Sequence, residues 1–257
     1  LFGIRQLSQN NSIGSIELRQ TRQRNHFITS KLNKKTVNIV WLKRDLRFTD
    51  HEPLFAAQQD NIPVLLLYFF EPSVMAYDDS DVRHWRFVYE SLQEMQVKLS
   101  VHNGNLFYFH SEVETVFETL SKIYNIKTVF SHQEIGNKIT FDRDVAMQQF
   151  FTKNSIQWNE FQMHGVIRKL KSRSDWDKRW EKVMRDVPKM IDLNTLQIEN
   201  LELDIYNNLK GEALTSDITT PNKNFQKGGE YWAWRYLDSF VKKRYVNYSK
   251  HISKPSL

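Results

Sequence analysis

The 257-residue chain contains no cysteine, and this absence excludes disulfide bonds, thiolate metal sites and cysteine nucleophiles together. No hydrophobic run approaches the ~18 residues that a membrane-spanning helix needs. The longest apolar stretch, residues 64–70, has only the length of a buried strand. The glycine-rich dinucleotide signature, the P-loop, the HExxH zinc motif and the GxSxG nucleophile elbow are missing as well. The residues therefore predict a globular protein in which no common motif marks a catalytic residue or a metal site.

Acidic residues are scarce in the first 35 residues, where Glu17 is the only acid beside seven lysines and arginines. We interpret residues 1–35 as a disordered or non-native segment and expect a cytoplasmic protein of bacterial type. The basic, serine-containing composition leaves an organelle-targeting peptide as the alternative. The whole chain carries a net charge of +6 and has a pI of about 9.3, a balance that favours a polyanionic partner such as DNA.

The region from residue 37 to residue 161 alternates short apolar runs with amphipathic stretches, which is typical of repeated βα units. Strands are predicted over residues 37–42, 63–69, 106–109, 128–131 and 157–161, and helices over residues 52–59, 82–99, 112–124 and 141–152. The continuous apolar run at residues 64–70 indicates a strand that is buried on both faces. We therefore predict an α/β fold over residues 36–165, with a Rossmann-like, doubly wound, five-stranded parallel sheet.

The βα alternation ends after residue 165. Residues 166–227 are interpreted as an interdomain connector, and the polar stretch from residue 206 onwards is typical of a linker. A helix is predicted from residue 230 to about residue 250. Its apolar stripe consists of Trp234, Leu237, Val241, Tyr245 and Tyr248. Because one amphipathic helix cannot bury such a stripe alone, residues 228–257 are expected to begin an all-α domain that the chain does not complete.

Charged residues crowd the turn that follows the first predicted strand. Arg44, Asp45, Arg47 and Asp50 lie there, at the sheet edge where α/β folds bind ligands. The two arginines could clamp an anion or pair with the neighbouring aspartates, and pairing is the interpretation that we favour. His132 follows a later strand and could act at the same edge, although we favour a structural or solvent-facing histidine.

The segment from Arg168 to Arg185 is strongly basic, with eight lysines and arginines against three acids. Such density could supply phosphate contacts to a nucleic acid. We favour a solvated or interdomain basic face instead. Trp176 and Trp180 are four residues apart and are expected to anchor this segment against the α/β domain.

Four stretches, in order, resemble the DNA photolyase/cryptochrome family. W-L-K-R-D-L-R-F-T-D-H at residues 41–51 is similar to the opening signature W-F-R-x-D-L-R-x-x-D-N. Residues 83–95 resemble the family helix that has an E-S-L core, and residues 104–109 resemble its following G-x-L strand. Residues 228–237 are similar to the G-G-E-x-x-A-x-x-x-L helix that opens the flavin domain, with Ala233 and Leu237 in register.

This resemblance implies a light-harvesting α/β antenna domain followed by the start of a helical domain that binds FAD. It implies FAD contact at Tyr248 and an antenna pigment, folate or deazaflavin, near Glu134 and Asn137. The glutamate that many relatives place near residues 137 and 138 is missing, which puts folate in doubt. DNA is the implied partner of the full-length protein, which is expected to be a monomer without membrane association.

The function implied by the resemblance is that of a deoxyribodipyrimidine photolyase, which repairs pyrimidine dimers by electron transfer from photoexcited FAD. A cryptochrome-type blue-light photoreceptor without repair activity is the alternative. An unrelated α/β nucleotide-binding module is a third interpretation, but it would not explain the flavin-domain opening at residues 228–237. The fragment alone is expected to bind little FAD and to be inactive.

Overall fold

A computed structural model describes residues 34–168 and 170–251. It contains a five-stranded parallel sheet, as predicted, in the order β3-β2-β1-β4-β5. The strands are β1 (Thr36–Trp41), β2 (Val64–Phe69), β3 (Leu106–Phe109), β4 (Asn125–His132) and β5 (Gln157–Phe161). The order reverses direction between β1 and β4, which is the switch point at which doubly wound sheets open a crevice. Most of the segment that we interpreted as disordered or non-native, residues 1–33, lies outside the described residues.

Five helices connect and cover the strands. They are α1 (Glu52–Gln59), α2 (Pro72–Met75), α3 (Val82–Ser100), α4 (Val113–Ile123) and α5 (Lys138–Lys153). One core lies under α4 and α5, where Phe117 and Phe151 pack on Leu65 and Leu67 of β2. The second core lies under α1 and α3 and takes Leu66 from the same strand. Because alternate residues of β2 face two separate cores, its sequence is continuously apolar.

The structure extends one strand and adds helices that the sequence pattern did not predict. Strand β4 begins at Asn125 rather than at residue 128. The apolar pattern did not predict its first residues, because exposed Asn125 and Lys127 interrupt that pattern. The connector and the predicted linker contain α6 (Trp176–Met184), α7 (Leu203–Leu209) and α8 (Ser216–Thr219). Ile218 of α8 is buried, and Arg86 of α3 donates to the Asp217 carbonyl over 2.8 Å, so this turn of helix is fixed to the domain.

The connector packs along the sheet edge instead of running free. His110, which follows β3, donates its backbone N–H to the carbonyl of Lys210 over 2.8 Å. Gly211, which follows Lys210, has a φ of +73°, and a Cβ there would lie 2.0 Å from the His110 carbonyl oxygen. The connector thereby covers the outer edge of β3, which would otherwise present unpaired backbone groups.

The last described segment is helical, as predicted. It comprises α9 (Glu230–Ser239), a π-helical turn (Phe240–Arg244), a 3-10 turn (Tyr245–Asn247) and α10 (Tyr248–His251). No residue of α9 is buried, and every member of the predicted apolar stripe is at least half exposed. Among the helices within residues 34–168 and 170–251, none combines the length and apolarity needed to cross a membrane.

We expect Gly211→Ala to destabilise the protein by about 2 kcal/mol, because the alanine would adopt a positive φ and its Cβ would meet a backbone oxygen. Urea unfolding followed by circular dichroism measures this loss. Asn103→Gly is the control, since Asn103 already has a positive φ of 56° that glycine adopts freely. An unchanged midpoint in Gly211→Ala would contradict the close approach.

Candidate functional site

A cavity of about 1120 Å³ opens above the carboxyl ends of β1, β2 and β4. Its floor consists of residues that end these strands or follow them, including Trp41, Arg44, Glu71 and Glu134. Its volume lies slightly above the usual range of ligand pockets in proteins, ~300–1,000 Å³. The cavity therefore lies at the sheet edge that the sequence predicted as the ligand-binding edge.

Two helices form the apolar walls of this cavity. Trp85 and Val88 project from α3, and Ala233, Trp234 and Leu237 project from α9. Part of the exposed stripe of α9 therefore faces a cavity rather than open solvent. Aromatic and aliphatic walls above a polar floor suit a flat, largely apolar ligand that carries a few polar atoms.

A buried charge network supports the cavity floor. Lys43 donates to Asp144 over 2.7 Å, and both side chains are less than a tenth exposed. Arg143 bonds Glu71, Glu134 and Asp144, so one guanidinium serves three carboxylates. Burial raises the pKa of Glu71 to about 7, even though Arg143 beside it favours the charged form. Desolvation is thus the larger effect on Glu71, and its carboxyl changes charge near neutral pH.

Both residues that the sequence assigned to an antenna pigment lie on the cavity wall. The Glu134 carboxylate accepts N–H bonds from Ile135 and Gly136 over 3.0 and 2.7 Å, and it accepts a bond from Arg44 over 3.2 Å. Desolvation opposes its ionisation, but the neighbouring cations outweigh that effect and lower the pKa of Glu134. Asn137 begins α5, where its side-chain oxygen accepts the N–H of Thr140 over 3.3 Å. Their contact with a pigment stays a prediction.

Tyr248 lies apart from these two residues. It is 51% exposed, it is not part of the cavity wall, and its ring packs against that of Phe240 at 5.4 Å. The structure therefore does not bring Tyr248 together with Glu134 and Asn137. Its role as an FAD contact stays a prediction.

A buried cluster of Asp45, His51 and His132 lies below the same sheet edge. The side-chain oxygen Oδ2 of Asp45 is 2.9 Å from Nε2 of His51 and 2.5 Å from Nδ1 of His132. Each of the three residues is at most 3% exposed. This cluster was not predicted from the sequence, because 87 residues separate Asp45 from His132. The available signal was that each of these two residues follows a predicted strand, at the carboxyl edge of the sheet.

The hydrogen bonds of His51 are those of a carboxylate–imidazole cluster rather than of a metal centre. A metal-bound histidine donates its second ring N–H to an acceptor. His51 does the opposite, because its Nδ1 accepts the backbone N–H of Leu54 over 3.1 Å at the start of α1. Nδ1 of His51 thus acts as an acceptor, while its Nε2 lies 2.9 Å from Oδ2 of Asp45. The structural interpretation of His132 agrees with this geometry.

The predicted pairing of Arg44 and Arg47 with neighbouring aspartates is wrong. Arg44 pairs with Glu134, and Arg47 donates to the backbone carbonyls of Thr49 and Asp50 over 2.9 Å each. The physical reason is that Asp45 is fully buried, where two imidazoles and the backbone N–H of Lys43 already surround it.

The basic segment contributes Arg168 to the surroundings of this site, because its guanidinium donates to the Glu134 carbonyl over 2.9 Å, whereas its helix does not line the cavity. Helix α6 has no buried residue, and Trp176 and Trp180 are 42% and 41% exposed. The expected anchoring is limited to Trp180, whose indole lies over Gly165. The rings of the two tryptophans pack on each other in a tilted arrangement, with their centroids 6.3 Å apart.

We expect Asp45→Asn to destabilise the protein by about 3 kcal/mol, because it removes the anion that two buried imidazoles share. Burial opposes ionisation of Asp45, but His51 and His132 outweigh it and hold the pKa well below its usual value of 3.8. This stabilisation is complete above pH 3.8 and is lost as the pH falls towards the lower pKa of the folded state.

Urea unfolding at a series of pH values tests this expectation. The stability of the wild type should decline below pH 3.8 more steeply than that of Asp45→Asn. Asp78→Asn, at an exposed position, is the matched control and should change little. Equal acid sensitivity in wild type and Asp45→Asn would refute the role of the cluster.

Comparisons with known proteins agree with the fold. The family model described as DNA photolyase matches residues 38–185, more than half of the chain. The blue-light photoreceptor PHR2 of Arabidopsis thaliana is 29% identical over 104 residues, which are 38% of this chain and 23% of that protein. Cryptochrome DASH of Synechocystis is 28% identical over 116 residues, 43% of this chain and 24% of that protein. The matches thus span about a quarter of these relatives.

Solved structures show the same fold. A Synechocystis cryptochrome superposes with a TM-score of 0.64 at 20% identity, covering 85% of this chain and 49% of that one. The archaeal photolyase of Sulfolobus tokodaii gives a TM-score of 0.59 at 15% identity, covering 78% of this chain and 46% of that one. It was solved with two FAD molecules and is described as implying a novel light-harvesting cofactor. Since the family model spans more than half of the chain and includes the motif at residues 41–51, the chain belongs to the DNA photolyase family.

Proposed function

We propose that the cavity at the sheet edge binds a light-harvesting pigment of the folate or deazaflavin class. The observation that carries this proposal is the composition of the cavity, which has a polar floor on the α/β domain and aromatic walls on α3 and α9. A fused heteroaromatic ring with amide-like edges matches both parts. The light-harvesting cofactor attributed to the Sulfolobus photolyase supports the same idea.

The residues of this chain would hold such a pigment in distinct ways. Trp85 and Trp234 offer flat aromatic surfaces to its rings, and Arg44 and Glu134 offer a donor and an acceptor to its polar edge. The buried network of Lys43 and Arg143 keeps the floor rigid, so that the pigment meets prearranged groups. The pigment itself supplies absorption of blue light and transfer of the excitation energy.

For the whole protein we propose a deoxyribodipyrimidine photolyase, in which FAD is held mainly by a helical domain that begins at α9. A blue-light photoreceptor without repair activity is the second candidate, favoured by the likeness to PHR2 and to cryptochrome DASH. Tyr248 would contribute to the flavin site. DNA is the proposed partner of the repair enzyme, and the protein would act as a monomer in the cytoplasm.

We expect the chain to bind 5,10-methenyltetrahydrofolate or 5-deazariboflavin saturably, with one pigment per chain. Trp234→Ala should weaken binding about ten-fold, because loss of one aromatic stacking surface costs about 1–3 kcal/mol. Separate titrations followed by pigment fluorescence anisotropy measure both affinities. Trp176→Ala is the matched control, since this tryptophan is also exposed but lies outside the cavity.

Two outcomes would count against the pigment site. One is that neither compound binds saturably, and the other is that Trp234→Ala and Trp176→Ala bind as the wild type does.

Light-dependent reversal of cyclobutane pyrimidine dimers by the product of the complete gene tests the repair function. We expect repair under blue light and none in darkness. Bound, photoreducible FAD without repair would instead establish the photoreceptor. Residues 1–257 alone should bind little FAD and repair no dimers, because Tyr248 is the one FAD contact that the sequence predicts within them.

A further inference from the structure

Helix α9 forms one wall of the cavity, yet it is held to the α/β domain almost without apolar burial. Trp234 and Leu237 remain 57% and 50% exposed, and no other residue of the helix is buried either. A helix of ten residues is marginal in water without packing. The position of this wall must therefore depend on polar contacts.

Those contacts are concentrated at the first turn of α9, where side chains of α3 satisfy its free backbone N–H groups. Gly228 donates to Glu90 over 2.8 Å, and Gly229 donates to Ser91 over 2.9 Å. Tyr231 donates to Glu94 over 3.1 Å. Two carboxylates at a helix N-terminus also interact favourably with the helix dipole. A neighbouring helix thus provides the capping groups that α9 lacks in its own sequence.

Glu230 and Lys98 complete the attachment. The Glu230 carboxylate accepts the backbone N–H of Thr49 over 3.3 Å and a bond from Lys98 over 2.9 Å. Lys98 also pairs with Glu94 over 3.0 Å, so one ammonium group joins α3 to α9. Thr49 belongs to the turn after β1 that forms the cavity floor.

The close approach depends on the absence of a side chain at Gly229. This residue has a φ of +106°, and a Cβ there would lie 2.1 Å from an oxygen of Glu94. We refer to Glu94, Lys98 and Glu230 as the latch. Glu94 and Lys98 do not line the cavity, whereas Glu230 does.

We propose that Glu94 and Lys98 are positioning residues of the ligand site, which hold α9 in place and so couple ligand affinity to the docking of that helix. This inference rests on the proposed pigment site. The coupling is reciprocal. If docking of α9 strengthens the binding of a ligand that contacts both the floor and α9, the bound ligand strengthens the docking of α9 by the same factor. Occupancy of the cavity and the placement of the helical segment are then one linked equilibrium.

The first arm of the test needs no ligand. In Lys98→Met, the amides of residues 230–239 should exchange with deuterium about five-fold faster than in the wild type, while the amides of β1 and β2 keep their protection. Lys98→Arg keeps the positive charge and should behave as the wild type. Unchanged exchange in Lys98→Met would overturn the latch.

The second arm uses 5,10-methenyltetrahydrofolate and 5-deazariboflavin as probes. Lys98→Met should weaken binding of the compound that binds about five-fold, although Lys98 lies outside the cavity. In a Trp234→Ala background, Lys98→Met should cause no further loss of affinity, because the contact of the ligand with α9 is already gone. An equal loss in both backgrounds would show that Lys98 acts independently of α9 and would overturn the proposal. Bound probe should also slow exchange of residues 230–239 in the wild type.

The two arms separate this inference from the proposed function. If the wild type binds neither probe, the pigment site fails, and the exchange arm still decides whether Lys98 holds α9. If a probe binds while Lys98→Met alters neither its affinity nor the exchange of α9, the pigment site stands and the latch is refuted.

Discussion

The organisation of the site depends on one buried charge, the carboxylate of Asp45. A fully buried anion is costly unless opposite charges or hydrogen-bond donors surround it. The donors here come from separate parts of the fold, because His51 begins α1 and His132 ends β4. The turn after β1 can therefore adopt only a path that brings these elements together. That path places Arg44 on the cavity floor and Thr49 within reach of α9.

Much of the fold could be predicted because its signal is local. Apolar runs such as residues 64–70 predicted the strands, and the motif at residues 228–237 located the start of α9. The beginning of β4 was missed because exposed Asn125 and Lys127 weaken the pattern there. The short helices of the connector were missed because they are only four to nine residues long, so their sequences carry little periodicity, and two of them depend on contacts with distant residues.

The candidate site was predictable only in part. The resemblance located Glu134 and Asn137, and both lie on the cavity wall. The cluster of Asp45, His51 and His132 depends on contacts between strands that are distant in sequence, so motif spacing could not indicate it. The pairing of Arg44 with Glu134 is long-range in the same way. A short sequence window favours the neighbouring aspartates as partners of Arg44, whereas the burial of Asp45 puts one of them out of its reach.

The π-helical turn at Phe240–Arg244 explains why one stripe in the sequence has two locations in the structure. Such a turn accommodates an extra residue, which rotates everything after it around the helix axis. Trp234 and Leu237 precede the turn and face the cavity, whereas Tyr245 and Tyr248 follow it and do not line the cavity. The stripe that the sequence pattern describes as one face is therefore divided into a part that lines the cavity and a part that does not. This short irregularity in the backbone lets the first half of the helical segment line the cavity of the α/β domain and leaves the second half as a separate apolar surface.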